Sequence, residues 1–207
     1  MRYPNLSQEK KLWSQGYKYV AGIDEAGRGA WAGPVVAAAA ILTGREKITG
    51  LKDSKLLSSP QRRRLFFELK TKITWGVGVV APAQIDSFNI LVATRMAMKQ
   101  AVANLSCPPD FALVDAVRIG GLGCRQRAVI KGDKKIMSIA AASIIAKVTR
   151  DDLLIKLHRS YPQYGFDVHK GYGTKLHREK LTLFGPCAIH RLSFRPLCEK
   201  NSRPLGV

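Results

Sequence analysis

Gly22-Ile23-Asp24-Glu25-Ala26-Gly27-Arg28-Gly29 decides how the rest of this chain is read. Two adjacent acids end an apolar run, Tyr19-Val20-Ala21-Gly22-Ile23, that reads as a strand, and a glycine-flanked arginine follows at once. Carboxylates at a strand end are a natural mount for divalent cations, because Mg²⁺ and Mn²⁺ prefer hard oxygen ligands. Gly27 and Gly29 permit positive φ and a close backbone approach to a ligand. Arg28 between them can grip a phosphate through two parallel hydrogen bonds. Acids suited to metal beside a phosphate clamp suggest phosphodiester chemistry.

Further along, Phe111-Ala112-Leu113-Val114-Asp115 repeats the pattern of an apolar run ending in an acid. One such aspartate is usually a turn-former or a helix cap. Two such strands, in a chain with 15 acids against 34 Lys and Arg, favour a shared function. Asp133, in Lys131-Gly132-Asp133, follows the next strand and precedes a long helix, and taken alone it suits an N-cap. Asp151 and Asp152 lie deep in that helix beside Arg150 and suit a solvated face or an ion pair. Carboxylates converging from strand ends repel one another, and such clusters persist because a cation neutralises them. Two metals about 4 Å apart can clamp the attacking water and the leaving oxygen of a phosphoryl transfer.

The charge balance points to the partner. A net charge of +19 on 207 residues implies a polyanion, and solubility alone rarely asks for so much charge of one sign. The composition, 46% hydrophobic and 24% charged, is that of a globular chain with a real core. Cys107, Cys124, Cys187 and Cys198 show neither C-x-x-C nor zinc spacing and read as reduced thiols of a cytoplasmic protein. The polar N-terminus has no secretory h-region, and the longest apolar run, 35–42, is too short to span a bilayer. No segment makes a good basic amphipathic helix for a membrane surface.

Strand-like runs fall at 19–24, 35–42, 74–80, 111–115 and 127–130, the first two close enough for an antiparallel pair. Ser59-Pro60 opens a helix to about Lys72. A second helix spans 90–105, with Leu91, Met98, Val102 and Leu105 on one face, and a third runs from about 135 to 158. The small residues at 138–146 suit tight packing on a sheet. Thr174 caps a last helix that Gly185-Pro186 stops. This order predicts an α/β (α+β layered) domain, a mixed sheet flanked by helices, over residues 1–160. Residues 161–207 read as a small basic subdomain packed on it, with a disordered tail lacking any clear aromatic-rich clamp-binding motif.

Two further segments suit nucleic acid. In Lys52-Asp53-Ser54-Lys55, Ser54 and Lys55 can meet backbone phosphates, although an ordinary polar loop reads the same way. In His169-Lys170-Gly171-Tyr172-Gly173-Thr174, the glycines give Tyr172 little to pack against, so its ring is available to a sugar or base and its hydroxyl to a 2′-OH. Lys170 and His190-Arg191 add positive charge nearby. His158 and His177 read as surface or helix-pairing residues.

Taken together, these blocks resemble ribonuclease HII, the metal-dependent endonuclease family that cuts at ribonucleotides in RNA–DNA hybrids. The resemblance runs in order through 22–36, 53–58, 113–115, 131–133, 138–151, 169–174 and 190–194. It implies an RNase H-like mixed sheet and a four-carboxylate site, Asp24, Glu25, Asp115 and Asp133, holding Mg²⁺ or Mn²⁺. It implies that Gly27, Arg28 and Gly29 read the phosphate and 2′-OH at the junction, and that Tyr172 tests the next sugar, where deoxyribose is preferred. It implies nicking 5′ to a ribonucleotide embedded in duplex DNA, leaving a 3′-hydroxyl and a 5′-phosphate. The chain departs from the family at Ala30-Trp31, where Pro-Leu is usual, at Leu57, where a lysine is usual, and at Ala116, where a glycine is usual. The default oligomeric state is a monomer. A hybrid-binding protein without catalysis and a DNase or resolvase on a similar fold are the rival readings.

Overall fold

In a computed structural model of the chain, residues 3–52 and 54–198 are described, with the side chain of Lys55 left out. The tail at 199–207, expected to be disordered, lies outside the described residues, as does Asp53. The sheet has five strands: β1 (Val20–Ala26), β2 (Val35–Ile41), β3 (Thr74–Val80), β4 (Phe111–Asp115) and β5 (Arg125–Val129). Their order is β3-β2-β1-β4-β5. β1 pairs antiparallel with β2, and β2 with β3, while β4 runs parallel to both β1 and β5. This is the mixed sheet that the sequence predicts.

Helices cover both faces. In chain order they are α1 (Ser7–Trp13), α2 (Ser59–Lys72), α3 (Pro82–Phe88), α4 (Ile90–Ala103), α5 (Met137–Ser160), α6 (Phe166–His169) and α7 (Lys175–Phe184). The reading of the sequence misses α1, α3 and α6, all seven residues or fewer and too short to display a period. Proline predicts Ser59 as the N-cap, but α2 starts one residue earlier, with Ser58 as the N-cap in a reciprocal capping box with Gln61 and Pro60 in the first turn. Thr174 caps α7, accepting from His177 N.

Alanines and glycines set the spacing of the layers. β2 is Val-Val-Ala-Ala-Ala-Ala-Ile and is buried along its whole length, between α4 on one face and α2 with α5 on the other. A Cβ on Gly22 would stand 2.2 Å from the Ser138 backbone, so α5 lies directly on β1 there. Gly76 and Gly78 of β3 admit α4 equally closely: a Cβ would meet Ala101 O at 2.2 Å and Ala97 O at 2.0 Å. That contact corrects the stripe expected for this helix. Met98 and Leu105 are buried as expected and Val102 packs on the core, but Leu91 is exposed, and the face against the glycines is made by Ala93, Thr94, Ala97 and Ala101, whose small side chains permit the close approach.

Beyond α5, residues 161–198 fold back over the start of β2. Trp31 N and Ala32 N donate to Gly171 O, Gly33 N donates to Ile189 O, and Arg191 N donates to Trp31 O. At the far edge of the sheet, β5 exposes Arg125 and Arg127. Among the described residues, no helix is long and apolar enough to cross a membrane.

Candidate active site

The register brings the strand-end acids together. Ile23 of β1 pairs with Val114 of β4, which sets Asp24 beside Asp115 where the parallel ladder ends, although β1 itself runs on to Ala26 against β2. Alternation places Asp24 with Ala26 on the α5 face and Glu25 with Ile23 on the other. Both still line one cavity, because it opens at the strand end rather than on one face. Asp133 arrives from a 3₁₀ turn, Gly132–Lys134, entered through Lys131 at φ 55°. It does not cap α5, whose N-cap is Ile136, so the bland reading of Asp133 is corrected. Gly132 N donates to Asp115 Oδ1 at 2.7 Å and ties the two segments together.

The cavity, about 430 Å³, is lined by Asp24, Glu25, Asp115 and Asp133 with Gly27, Arg28, Gly29, Ser54 and Tyr172, all singled out in the sequence. Ala26, Ser143 and Lys147 complete the lining, and the sequence reading missed Ser143 and Lys147 as site residues. Each sits on α5 among alanines and hydrophobics, and only the helical i, i+4 spacing of these two polar residues hinted at a shared face. The Ser54 and Ser143 hydroxyls are buried and 2.9 Å apart. Lys147 Nζ stands 5.4 Å from the Tyr172 ring centroid and 2.7 Å from Asp151. Arg28 Nη1 lies 3.2 Å from Glu25 Oε1 and is half-exposed, so it can swing toward a ligand. Gly27 holds φ 94°, and a Cβ there would stand 2.0 Å from Arg150 Nε; around Gly29 the space is open. The side chain of Lys55 lies outside the described residues.

Burial, the largest influence, together with the charges of Glu25 and Asp115, pushes the Asp24 carboxyl well above its usual range; hydrogen bonds from Ser143 and Glu25 N only partly offset this. Among the described residues, no three His, Cys, Asp or Glu side chains are placed so that, as they stand, they could hold a metal ion. The donor set is nonetheless hard oxygen throughout. A cation among these carboxylates would relieve the repulsion that raises Asp24, so the residues fit a divalent metal.

Around the Tyr172 loop, several expectations need correction. Gly171 and Gly173 are not slack: a Cβ would meet Ala32 O at 2.3 Å and the Trp31 ring at 2.3 Å. Tyr172 is half-buried, with the Arg150 guanidinium 5.1 Å from its ring centroid. His177 is fully buried rather than superficial, because its ring stacks on His169 at 4.2 Å. His158 is partly exposed, with Nδ1 3.2 Å from Asp167. Arg191 is also fully buried, donating to Gly33 O and Arg28 O, so it supports the backbone rather than presenting charge. Asp151 and Asp152 do form ion pairs, with Lys147 and Arg63 instead of Arg150. Leu57 is buried in the core, where the lysine usual in the resemblance would bring a charge. Ala116 takes φ 54°, the conformation a glycine would favour.

Comparison with known proteins agrees with this site. The family profile described as Ribonuclease HII matches residues 21–197. A ribonuclease HII of Roseiflexus castenholzii is 50% identical over 202 residues, covering 95% of this chain and 90% of its own. One from Chlamydia muridarum is 53% identical over 195 residues, covering 92% and 88%. Among solved structures, ribonuclease H2 from Pyrococcus horikoshii superposes with a TM-score of 0.71 at 31% identity, covering 87% of this chain and 96% of that one. The RNase HII in a PCNA complex from Archaeoglobus fulgidus gives 0.74 at 28% identity, covering 86% and 95%. A Bst-RNase HIII in complex with Mn²⁺ shares the fold at 20% identity, with a TM-score of 0.65 and coverage of 87% and 68%. The chain belongs to the ribonuclease HII family, hydrolases that act on RNA–DNA hybrids.

Proposed function

We propose that this enzyme hydrolyses the phosphodiester 5′ to a ribonucleotide, in hybrids and at single ribonucleotides within duplex DNA, leaving a 3′-hydroxyl and a 5′-phosphate. The observation that carries the reading is one cavity holding four acids from three chain segments beside Gly27-Arg28-Gly29 and Tyr172. Asp24, Glu25, Asp115 and Asp133 are the groups that would hold Mg²⁺ or Mn²⁺. The bound ions would supply charge stabilisation for the attacking water and the leaving oxygen.

The chain's own residues do the positioning. Ser143 and Glu25 N fix the Asp24 carboxylate. Gly29, open on its Cα, lets the strand backbone approach, and Arg28 grips the phosphate at the junction. Tyr172 lies under the next sugar, its ring backed by the Lys147 and Arg150 cations, and a ribose 2′-OH there would crowd it. Residues 161–198 act as a small basic subdomain that carries this ring. The protein works as a monomer in the cytoplasm.

The test uses an end-labelled duplex with one internal ribonucleotide and an all-DNA control, each with Mg²⁺, with Mn²⁺ and with chelator. A metal-dependent nick 5′ of the ribonucleotide, absent from the control, is expected. Cutting of all-RNA hybrids alone would overturn the junction specificity. Binding without cutting would favour a hybrid-binding protein.

A further inference from the structure

Three of the four histidines, His169, His177 and His190, are buried together beneath the Tyr172 loop, and none lines the acid cavity. Their hydrogen bonds leave one arrangement of protons. Gly171 N donates to His169 Nδ1 at 3.1 Å, so His169 carries its proton on Nε2 and donates to Tyr164 O at 2.8 Å. His177 Nδ1 faces Tyr172 O at 2.9 Å; a carbonyl only accepts, so the proton is on Nδ1 and Nε2 is a bare acceptor. Because His177 Nε2 can only accept, the His190 proton sits on Nε2 and points at it across 3.1 Å; His190 Nδ1 then accepts from Cys187 N at 2.9 Å, and its 3.3 Å approach to Cys187 O carries no proton.

Each ring is neutral with both nitrogens engaged, and an added proton would break a bond. Burial, the first cause, lowers His177 and His190 from 6.5 to about 4 and lowers His169 as well. Asp167, Lys170 and His158 act on His169, while Cys187 and Tyr164 stand on the His190 side. The network ends on the loop that carries the sugar-facing ring. Tyr172 O takes bonds from His177 Nδ1 and Thr174 N, and Tyr172 N donates to His169 O.

We propose that His169, His177 and His190 form a positioning relay that sets Tyr172 against the sugar beside the cut, with His177 as the member that holds the Tyr172 backbone. This rests on the reading of Tyr172 given above. The relay touches no substrate; it acts through Tyr172.

Long-range proton–nitrogen NMR of the full chain with ¹⁵N-histidine reads the tautomers near neutral pH. Protons on His169 Nε2, His177 Nδ1 and His190 Nε2 are expected, and a proton on His177 Nε2 would overturn the relay. The functional test compares kcat/KM on a duplex with one ribonucleotide against the same duplex with ribose also at the next sugar. Taking the ratio on one sample cancels the active fraction. His177→Gln brings its amide to the Nε2 position and misses Tyr172 O, so the ratio should fall about fivefold, mainly through KM, the weight of one hydrogen bond. His177→Asn brings its amide N–H to the Nδ1 position and should restore the ratio to within about twofold. Tyr172→Ala should lower the ratio in the same assay. An unchanged ratio in both His177 variants, or an equal loss in both, overturns the relay while leaving the Tyr172 reading intact. An unchanged ratio in Tyr172→Ala removes both.

Discussion

The strand-end acids and the cationic and imidazole groups beneath Tyr172 are both buried and polar, but their charges are balanced differently. Asp24 faces two groups of its own sign, and burial with Glu25 and Asp115 pushes its carboxyl upward, only partly offset by Ser143 and Glu25 N. Arg150 is as deeply buried, yet donates to Pro34 O, Lys170 O and Ala32 O at 2.9–3.1 Å, and the three histidines close on one another and on backbone. One cluster carries like charges that a cation would offset; the other closes its polar groups on backbone and on one another. The first stores unfavourable energy where chemistry is proposed, and the second provides the stiffness that keeps neighbouring loops in place.

Asp24→Asn should break this contrast most sharply. Hydrolysis of a one-ribonucleotide duplex is expected to fall by roughly 10³-fold, about 4 kcal/mol, while the melting temperature in chelator rises by about 3 °C as repulsion is relieved. Near-wild-type cutting by a folded variant would remove Asp24 from the chemistry. On the other side, Arg150→Met strands three carbonyls and should cost about 3 kcal/mol in urea unfolding. A loss under 1 kcal/mol would show that solvent replaces the guanidinium.

A pH series sharpens the same comparison. His177 and His190 have folded values of about 4 against an ordinary 6.5, so the unfolded chain binds more protons between those limits. Their contribution is complete above about pH 6.5 and is lost as pH falls toward 4, by about 2–3 kcal/mol given their shared bond. Asp24, shifted the other way, opposes this trend in acid. Urea midpoints for wild type and His177→Gln should converge on acidification; parallel curves would contradict the neutral cluster. The smallest effect belongs to Ala116→Gly. Relief of the left-handed conformation at φ 54° should raise stability by about 1 kcal/mol, and no change in the melting temperature would mean the strain is absorbed elsewhere.

These two clusters also differ in how readable they were. Asp24 and Asp115 show in the sequence because a short apolar run ending in an acid is a local pattern, whereas Asp133 taken alone suits a cap, and only the family resemblance joined it to the other acids before the fold set it in their cavity. Arg150 and Arg191 gave no such signal. Their partners are main-chain carbonyls as far as 118 and 163 positions away, and carbonyls carry no side-chain signature. His177 misled for the same reason, since a polar residue on a short helix looks solvated until its distant partner His190 is in place. The antiparallel β1–β2 pair followed from the short spacing of two apolar runs, whereas the buried face of α4 depended on glycines of another element.

α5 has a consequence for how a cutting position would be chosen. Ser143 touches the acid cluster and Arg150 stands beside the Tyr172 ring, seven residues apart in one uninterrupted helix. At 1.5 Å per residue that is about 10 Å, and a helix offers no joint in between. The acids and the ring are therefore the two jaws of a fixed gauge. Under the proposed function, a strand would be sorted by whether its sugars and phosphates match that span, so selection by such a tool would be metric, and any sequence of the right contour would serve.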